Sequence, residues 1–283
     1  FEKEEGELVP LGEISALGKS IVTSLKIDEE GKLWVATFCM YEGTVHRFDL
    51  LEKTPLSEQE PLQIKTDTGV LSLAVNDEVG LSVAGTAGGK VELISTEDGS
   101  IVGTWDVFNG TDTAVRSVEV FHAGLLDEDE SKNNKWCVVC GGGDGTIHVR
   151  WLNTEDGQIV PSAPFDDRRP PNSLPPHSGM VVSLAACKKN GAGMLVSGGQ
   201  DGTVRVWDFS DDPLDQGDEF SNEYYAGVNN NIDPEFQPIA LYQLVGYKVW
   251  LGSICVDEEG LRLVSDGADN AVVVHDFSSS DDE

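Results

Sequence analysis

SGGQDGTVRVWD, residues 197–208, is the stretch on which the fold turns. Gly198, Gly199, Asp201 and Gly202 are turn residues, and they separate two short apolar runs, MLVS before and VRVW after. The pattern is that of a β-hairpin. Working back from it, His177 lies four residues before Val181 and six before Ser183. Asp201 follows Ser183 by eighteen residues, and Trp207 follows Asp201 by six.

The same unit recurs. The counterparts of Ser183 are Ser24 in IVTSLKI, Ser72 in VLSLAV, Ser117 in VRSVEV and Ser253 in LGSICV, each in an apolar run of strand character. A second apolar run follows each one: KLWVATF, LSVAGTAGG, WCVVCGGGDG, MLVSGGQDG and LRLVSDGADN. A third comes after it: GTVHRFDL, GKVELIS, GTIHVRWLN, GTVRVWDF and NAVVVHDF. Self-similarity at roughly 40–50 residues is the signature of propeller blades. Each blade is a small sheet that cannot bury its own faces, so blades stack around a ring.

His177, Ser183, Asp201 and Trp207 resemble the hydrogen-bonding tetrad of a WD-repeat blade. The resemblance implies an all-β WD-repeat β-propeller of four-stranded antiparallel blades, with the tetrad linking strands inside one sheet. Only the fourth unit has all four residues. The last keeps Ser253 and Asp269, with Tyr247 for the His and His275 for the Trp. The third keeps Ser117 and Asp144, with Arg150 at the Trp position and Trp151 one residue later. The first offers Glu42 and Phe48, and the second Gly88 and Ile94. Outer-strand candidates are ELVPLGEI, PLQIK, SIVGTWDV, QIVPSAPF and PIALYQLVG. The resemblance implies that the first of these, Glu7 to Ile14, completes the last blade and closes a five-bladed ring. Because most WD-repeat rings have seven blades, a seven-bladed ring with upstream repeats outside this sequence is the alternative. The repeats cover approximately 15–50, 63–96, 101–153, 158–210 and 239–278 of a single domain, 1–280, before an acidic tail, 281–283. Insertions fall at 126–135, 154–176 and 211–238.

Composition limits the function. The 283 residues carry 50 acidic against 19 basic side chains, a net charge of −31. Nucleic acid and anionic membrane surfaces are poor partners for such a chain, because both need clustered Lys and Arg. Basic protein surfaces are electrostatically suited to it. No apolar run approaches the ~18 residues that suggest a membrane span, and no signal peptide is visible. An intracellular, soluble protein is expected, with an organelle after loss of a targeting peptide as a variant.

Catalytic constellations are missing from the sequence. Cys137 and Cys140 form a C-x-x-C, but within a strand positions three apart face opposite sides, so the thiols cannot readily share a metal. Cys187 and Cys255 read as small core residues. The His177, Ser183 and Asp201 set could be mistaken for a hydrolase triad, yet its spacing is the structural one of the resembled family. His46, His148 and His275 lie in third strands, where burial is expected, and His122 has no motif around it. H-E-x-x-H, G-x-S-x-G and the phosphate-binding G-x-x-x-x-G-K-[ST] are absent. No cofactor or metal is expected.

A non-catalytic protein–protein interaction scaffold, a subunit of a larger hetero-complex, is therefore the expected function. An acidic chaperone or reader of basic proteins such as histones is one alternative. A ligand-binding or hydrolytic propeller with a channel-mouth site is another. In WD-repeat proteins the residue before each inner strand often faces the top of the ring, which would place Met180 and Trp250 there, with Tyr41 and Gln200 on the same rim. Large apolar side chains suit Trp250 and Met180 as anchors for a partner. Tyr224 and Tyr225, in the longest insertion, are further docking candidates.

Overall fold

A computed structural model describes residues 2–4, 7–9, 14, 17, 19–39, 42–52, 54–109, 111–123, 136–155, 157–167, 171–187, 193–209, 239–245, 251–257, 260–266 and 271–277. All regular structure among them is β. Four sheets have four antiparallel strands and a fifth has three. The first sheet comprises Ile21–Ile27, Lys32–Cys39, Glu42–Asp49 and Leu62–Thr66. Val70–Asn76, Leu81–Thr86, Lys90–Ser95 and Ile101–Asp106 make the second. The third has Val115–His122, Trp136–Gly142, Ile147–Trp151 and Asn172–Leu174. The fourth has Val181–Ala186, Met194–Gly199, Val204–Asp208 and Ile239–Leu244. Ile254–Val256, Arg262–Asp266 and Val272–Asp276 form the fifth.

The five sheets stand side by side in chain order, each first strand packed on the next, in a propeller-like arrangement. Four buried apolar clusters mark the four seams. Trp34, Ala36 and Val45 meet Val70, Leu73 and Val75 at the first. Val83, Val91 and Leu93 meet Val115, Val118 and Val120 at the second. Val139, Ile147 and Val149 meet Val181, Leu184 and Ala186 at the third. Val196, Val204 and Val206 meet Leu251, Ile254 and Leu263 at the fourth. Each aliphatic side chain taken fully from water here contributes about 1.5–3 kcal/mol. In the second, third and fourth sheets the alternation of the strands thus serves two different cores: one face packs backward, the other forward.

The recurring serine belongs to these seams. In the first four sheets the pairing register of the first strand shifts just before it, a β-bulge at Val22/Ser24, Val70/Ser72, Val115/Ser117 and Val181/Ser183. In the third and fourth sheets the hydroxyl beyond the bulge reaches the next sheet: Ser117 Oγ donates to Val181 O at 3.1 Å, and Ser183 Oγ accepts from Ile254 N at 3.0 Å. Opposite stands a small residue. A Cβ on Gly141 would lie 2.5 Å from both Ser117 Oγ and Val181 Cγ1, and one on Gly198 would lie 2.3 Å from Ile254 Cδ1. Glycine there lets the next sheet's aliphatic side chain close the seam.

Two expectations for outer strands are corrected. Glu7–Val9 pairs with Glu2–Glu4 in a separate hairpin, not with Val272–Asp276 as the ring-closing strand; residues 10–13 lie outside the described residues. A two-residue link makes this local pairing far less demanding in loop entropy than pairing with the other end of the chain. In the third sheet the outer strand is Asn172–Leu174, not the QIVPSAPF segment. Gln158–Ile159 instead pairs locally with Thr154–Glu155, and Phe165 bridges only to Leu152. The prolines around Asn172–Leu174 are tolerated because the strand is an edge. The 126–135 and 211–238 insertions lie outside the described residues.

Candidate functional site

A polar side-chain network that runs from an acid through a histidine to a serine hydroxyl lies in the fourth sheet. Its hairpin turn holds Asp201, its third strand holds Trp207, and His177 enters from the connection before the first strand. His177 Nδ1 lies 3.1 Å from Asp201 Oδ1, and its Nε2 lies 2.8 Å from Ser197 Oγ. Trp207 Nε1 donates to the same Ser197 Oγ at 3.0 Å. The serine of this network is therefore Ser197 and not Ser183. Trp207 pairs with Leu195, so Ser197, two residues on, shares the face of Trp207 and sits diagonally beside it. Ser183 lies beyond the bulge and serves the seam.

Proton placement follows from the partners. Burial holds the His177 imidazole below its ordinary pKa, against the pull of Asp201. Neutral, it donates from Nδ1 to the carboxylate and accepts at Nε2 from the Ser197 hydroxyl. Asp201 also accepts from Thr203 Oγ1 at 2.7 Å, Thr203 N at 3.1 Å and Ser178 N at 2.9 Å. Burial would raise this carboxyl, but the hydrogen bonds from Thr203, Ser178 and His177 prevail and bring it down to about 2. The Asp201, His177 and Ser197 chain has the bond order of a hydrolytic triad. Ser197 is completely buried and engaged by Trp207, so no substrate reaches its oxygen.

The partial tetrads differ in kind. Ser117 and Ser253 are counterparts of Ser183, not of Ser197; the counterparts of Ser197 are Cys140 and Ser265, opposite His148 and Val273 as Ser197 is opposite Arg205. Asp144 accepts from Thr146 N at 3.0 Å and Thr146 Oγ1 at 2.7 Å. Arg150, in the place of Trp207, stacks over Phe165 with its guanidinium carbon 3.9 Å from the ring centre and also faces Trp105. A cation–π contact thus fills the position a tryptophan fills in the fourth sheet. Asp269 and Tyr247 lie outside the described residues.

Of the rim candidates, the structure brings Met180 and Gln200 together. Gln200 N donates to Met180 O at 2.9 Å, and both side chains are half-buried. The same closure recurs as Ala87 N to Gly69 O and Gly143 N to Ala114 O. Tyr41, Trp250, Tyr224 and Tyr225 lie outside the described residues.

Cys137 and Cys140 face different seams, one packed with Val149 and Trp207, the other with Val83 and Trp105. Burial pushes both thiols well above the ordinary range. Cys187 is buried, but Cys255, expected in the core, is exposed. It stands where Ala185 stands in the fourth sheet, on the forward face, and the fifth sheet's forward face is exposed. In dilute protein, Cys39 and Cys255 should react quickly with a thiol reagent and the three buried cysteines only on unfolding. Fast modification of Cys137 or Cys140 in the folded chain would contradict this burial.

Residues 168–208, which hold the whole network, match the family model described as WD domain, G-beta repeat. This segment is a WD40 repeat. The match supports the WD-repeat family for the chain, and no curated protein matches it. A WD40 repeat supports a role in protein interaction in general, and WD40 domains are typically non-catalytic. No group of three or more His, Cys, Asp or Glu among the described residues could hold a metal ion. No helix among them is long and apolar enough to cross a membrane.

Proposed function

We propose that the chain is a non-catalytic interaction platform, a five-bladed WD-repeat propeller over residues 1–280 that serves as a subunit of a larger protein assembly. The sealing of Ser197 carries this reading: the network with catalytic bond order among the described residues is closed to substrate and holds a sheet together. The half-buried Met180 and Gln200 rim is the partner surface, and Trp250 and Tyr41, outside the described residues, are further candidates for it. The test is affinity capture on the immobilised chain from native lysate, wild type against Met180→Ala and Trp250→Ala. The expected result is a stoichiometric complex that the variants lose while their thermal unfolding is unchanged. A large loss of melting temperature with intact capture would assign these side chains to the core instead.

The net charge of −31 favours a second reading, a reader or chaperone of basic proteins. Captured histones or ribosomal proteins that dissociate at about 0.5 M salt, where the Debye length falls to ~4 Å, support it. A captured complex indifferent to salt excludes it.

A further inference from the structure

The third and fourth seams are built from corresponding positions but are not equally filled. In the third, Phe121 and Trp151 pack with Val139, Val149, Leu195 and Phe209 in one buried cluster. The Phe121 and Phe209 rings meet edge to face there, 5.2 Å between centres. Strand register gives the counterparts in the fourth seam. Phe277 stands for Phe209, but Cys187 stands for Phe121 and Asp208 for Trp151. Two large aromatic side chains are thus exchanged for a thiol and a carboxylate. Met194, Val196 and Val206 of the fourth sheet face Val256, Leu263 and Phe277 of the fifth across a cavity of about 380 Å³, part of it open to solvent. These six correspond to Cys137, Val139, Val149, Ala186, Leu195 and Phe209, all members of the filled cluster. Gly260 completes the described lining. A Cβ built on it would lie 2.7 Å from Met194 Cε and 3.6 Å from Cys187 Sγ, which puts the thiol at the cavity's edge.

We propose that this cavity is a binding site for one small uncharged aromatic molecule, a single ring that takes the space the Phe121 and Trp151 rings fill in the neighbouring seam. Every described side chain lining it is apolar, so a hydrocarbon ring gains by leaving water. Phe277 offers the ring the partner that Phe209 offers Phe121, and the Met194 thioether is a polarizable contact for an aromatic edge. The same lining sets the selectivity. A hydroxyl on the ring would be buried among side chains that cannot hydrogen-bond it, and a charged substituent would fare worse. The site is separate from the rim. Met194 and Gly199 are the two ends of one strand, Met194 in the cavity wall and Gly199 beside Gln200, roughly 17 Å apart at ~3.4 Å per residue.

Isotope-labelled methionine methyl groups, read by NMR in the full chain, test the proposal. Met194 lies in the cavity wall, Met180 lies on the rim, and Met40 is the only other methionine. The signal that Met194→Leu removes identifies the first. Titrated toluene should shift the Met194 signal to saturation, leave that of Met180 in place and raise the melting temperature. Phenol, a molecule of nearly the same size, should bind at least about tenfold more weakly, and benzoate should not bind. Cys187→Phe restores the ring of the third seam and should abolish the toluene shift. Cys187→Leu fills less of the space and should weaken binding; it replaces the first variant if the phenyl group prevents folding, which thermal unfolding checks. A wild-type Met194 signal that toluene leaves unmoved overturns the proposal. So does phenol that binds as tightly as toluene, or a folded Cys187→Phe or Cys187→Leu chain that takes up toluene as wild type does.

Discussion

Asp201→Ala is expected to destabilise the chain by ~2–4 kcal/mol, measured by urea unfolding, because it strips a buried network of its acceptor. His177, Thr203 and the Ser178 amide all lose their partner. Asp144→Ala should cost under about 1 kcal/mol, since that carboxylate is exposed and serves only Thr146. Ser197→Ala and Ser183→Ala separate the two serines. The first leaves His177 Nε2 and Trp207 Nε1 unpaired inside the protein and approaches the loss at Asp201; the second removes one acceptor from a backbone N–H. The effect depends on pH with a defined sign. Asp201 titrates near 2 when folded, against an ordinary 3.8. Its advantage over alanine is complete above pH 4 and drains away as pH falls toward 2. His177, held low by burial, adds a second loss: below its ordinary 6.5 the unfolded chain takes up a proton that the folded chain resists. Equal, negligible losses at Asp201 and Asp144 would remove the network from the account of stability.

Gly145→Ala should be at least as damaging, about 3 kcal/mol or more. Gly145 has φ of +90°, where a side chain is strained. A Cβ there would also stand 2.3 Å from His177 O and 2.9 Å from Gly179 O, both backbone. His177 N donates to Gly145 O at 2.9 Å, so the third sheet's hairpin holds the histidine of the fourth sheet's network in place. Displacing one displaces the other. The losses from Gly145→Ala and Asp201→Ala should therefore fall short of additive in the double variant. Strict additivity would show that the turn and the network are independent.

The three inner strands of each unit were legible because two local signals agree: Val, Ile and Leu in short runs, and Gly or Asp in the turns between. IVTSLKI maps onto Ile21–Ile27 residue for residue. Asn172–Leu174 was hidden because three residues between prolines are too few to show a period. Counting along the chain points to Ser183 rather than Ser197, because the sequence does not show the bulge that turns Ser183 toward the next sheet. The signal that identifies Ser197 is its place two residues beyond the strand partner of Trp207, which depends on register. Cys255 looked like core because its strand does; its exposure depends on what stands beyond the last sheet, which no local pattern encodes.

The neighbour-only seams have a consequence for cooperativity. A sheet in the middle of the series is stabilised from two sides, and a terminal sheet from one. In such a one-dimensional stack the free energy of local opening rises from the ends inward. The chain behaves less like a single block than like a stack of plates that loosens from its outermost members. The fourth sheet, with its complete network of His177, Ser197, Asp201 and Trp207, acts as a clamp next to the looser end, so that opening of the fifth sheet need not spread to the rest.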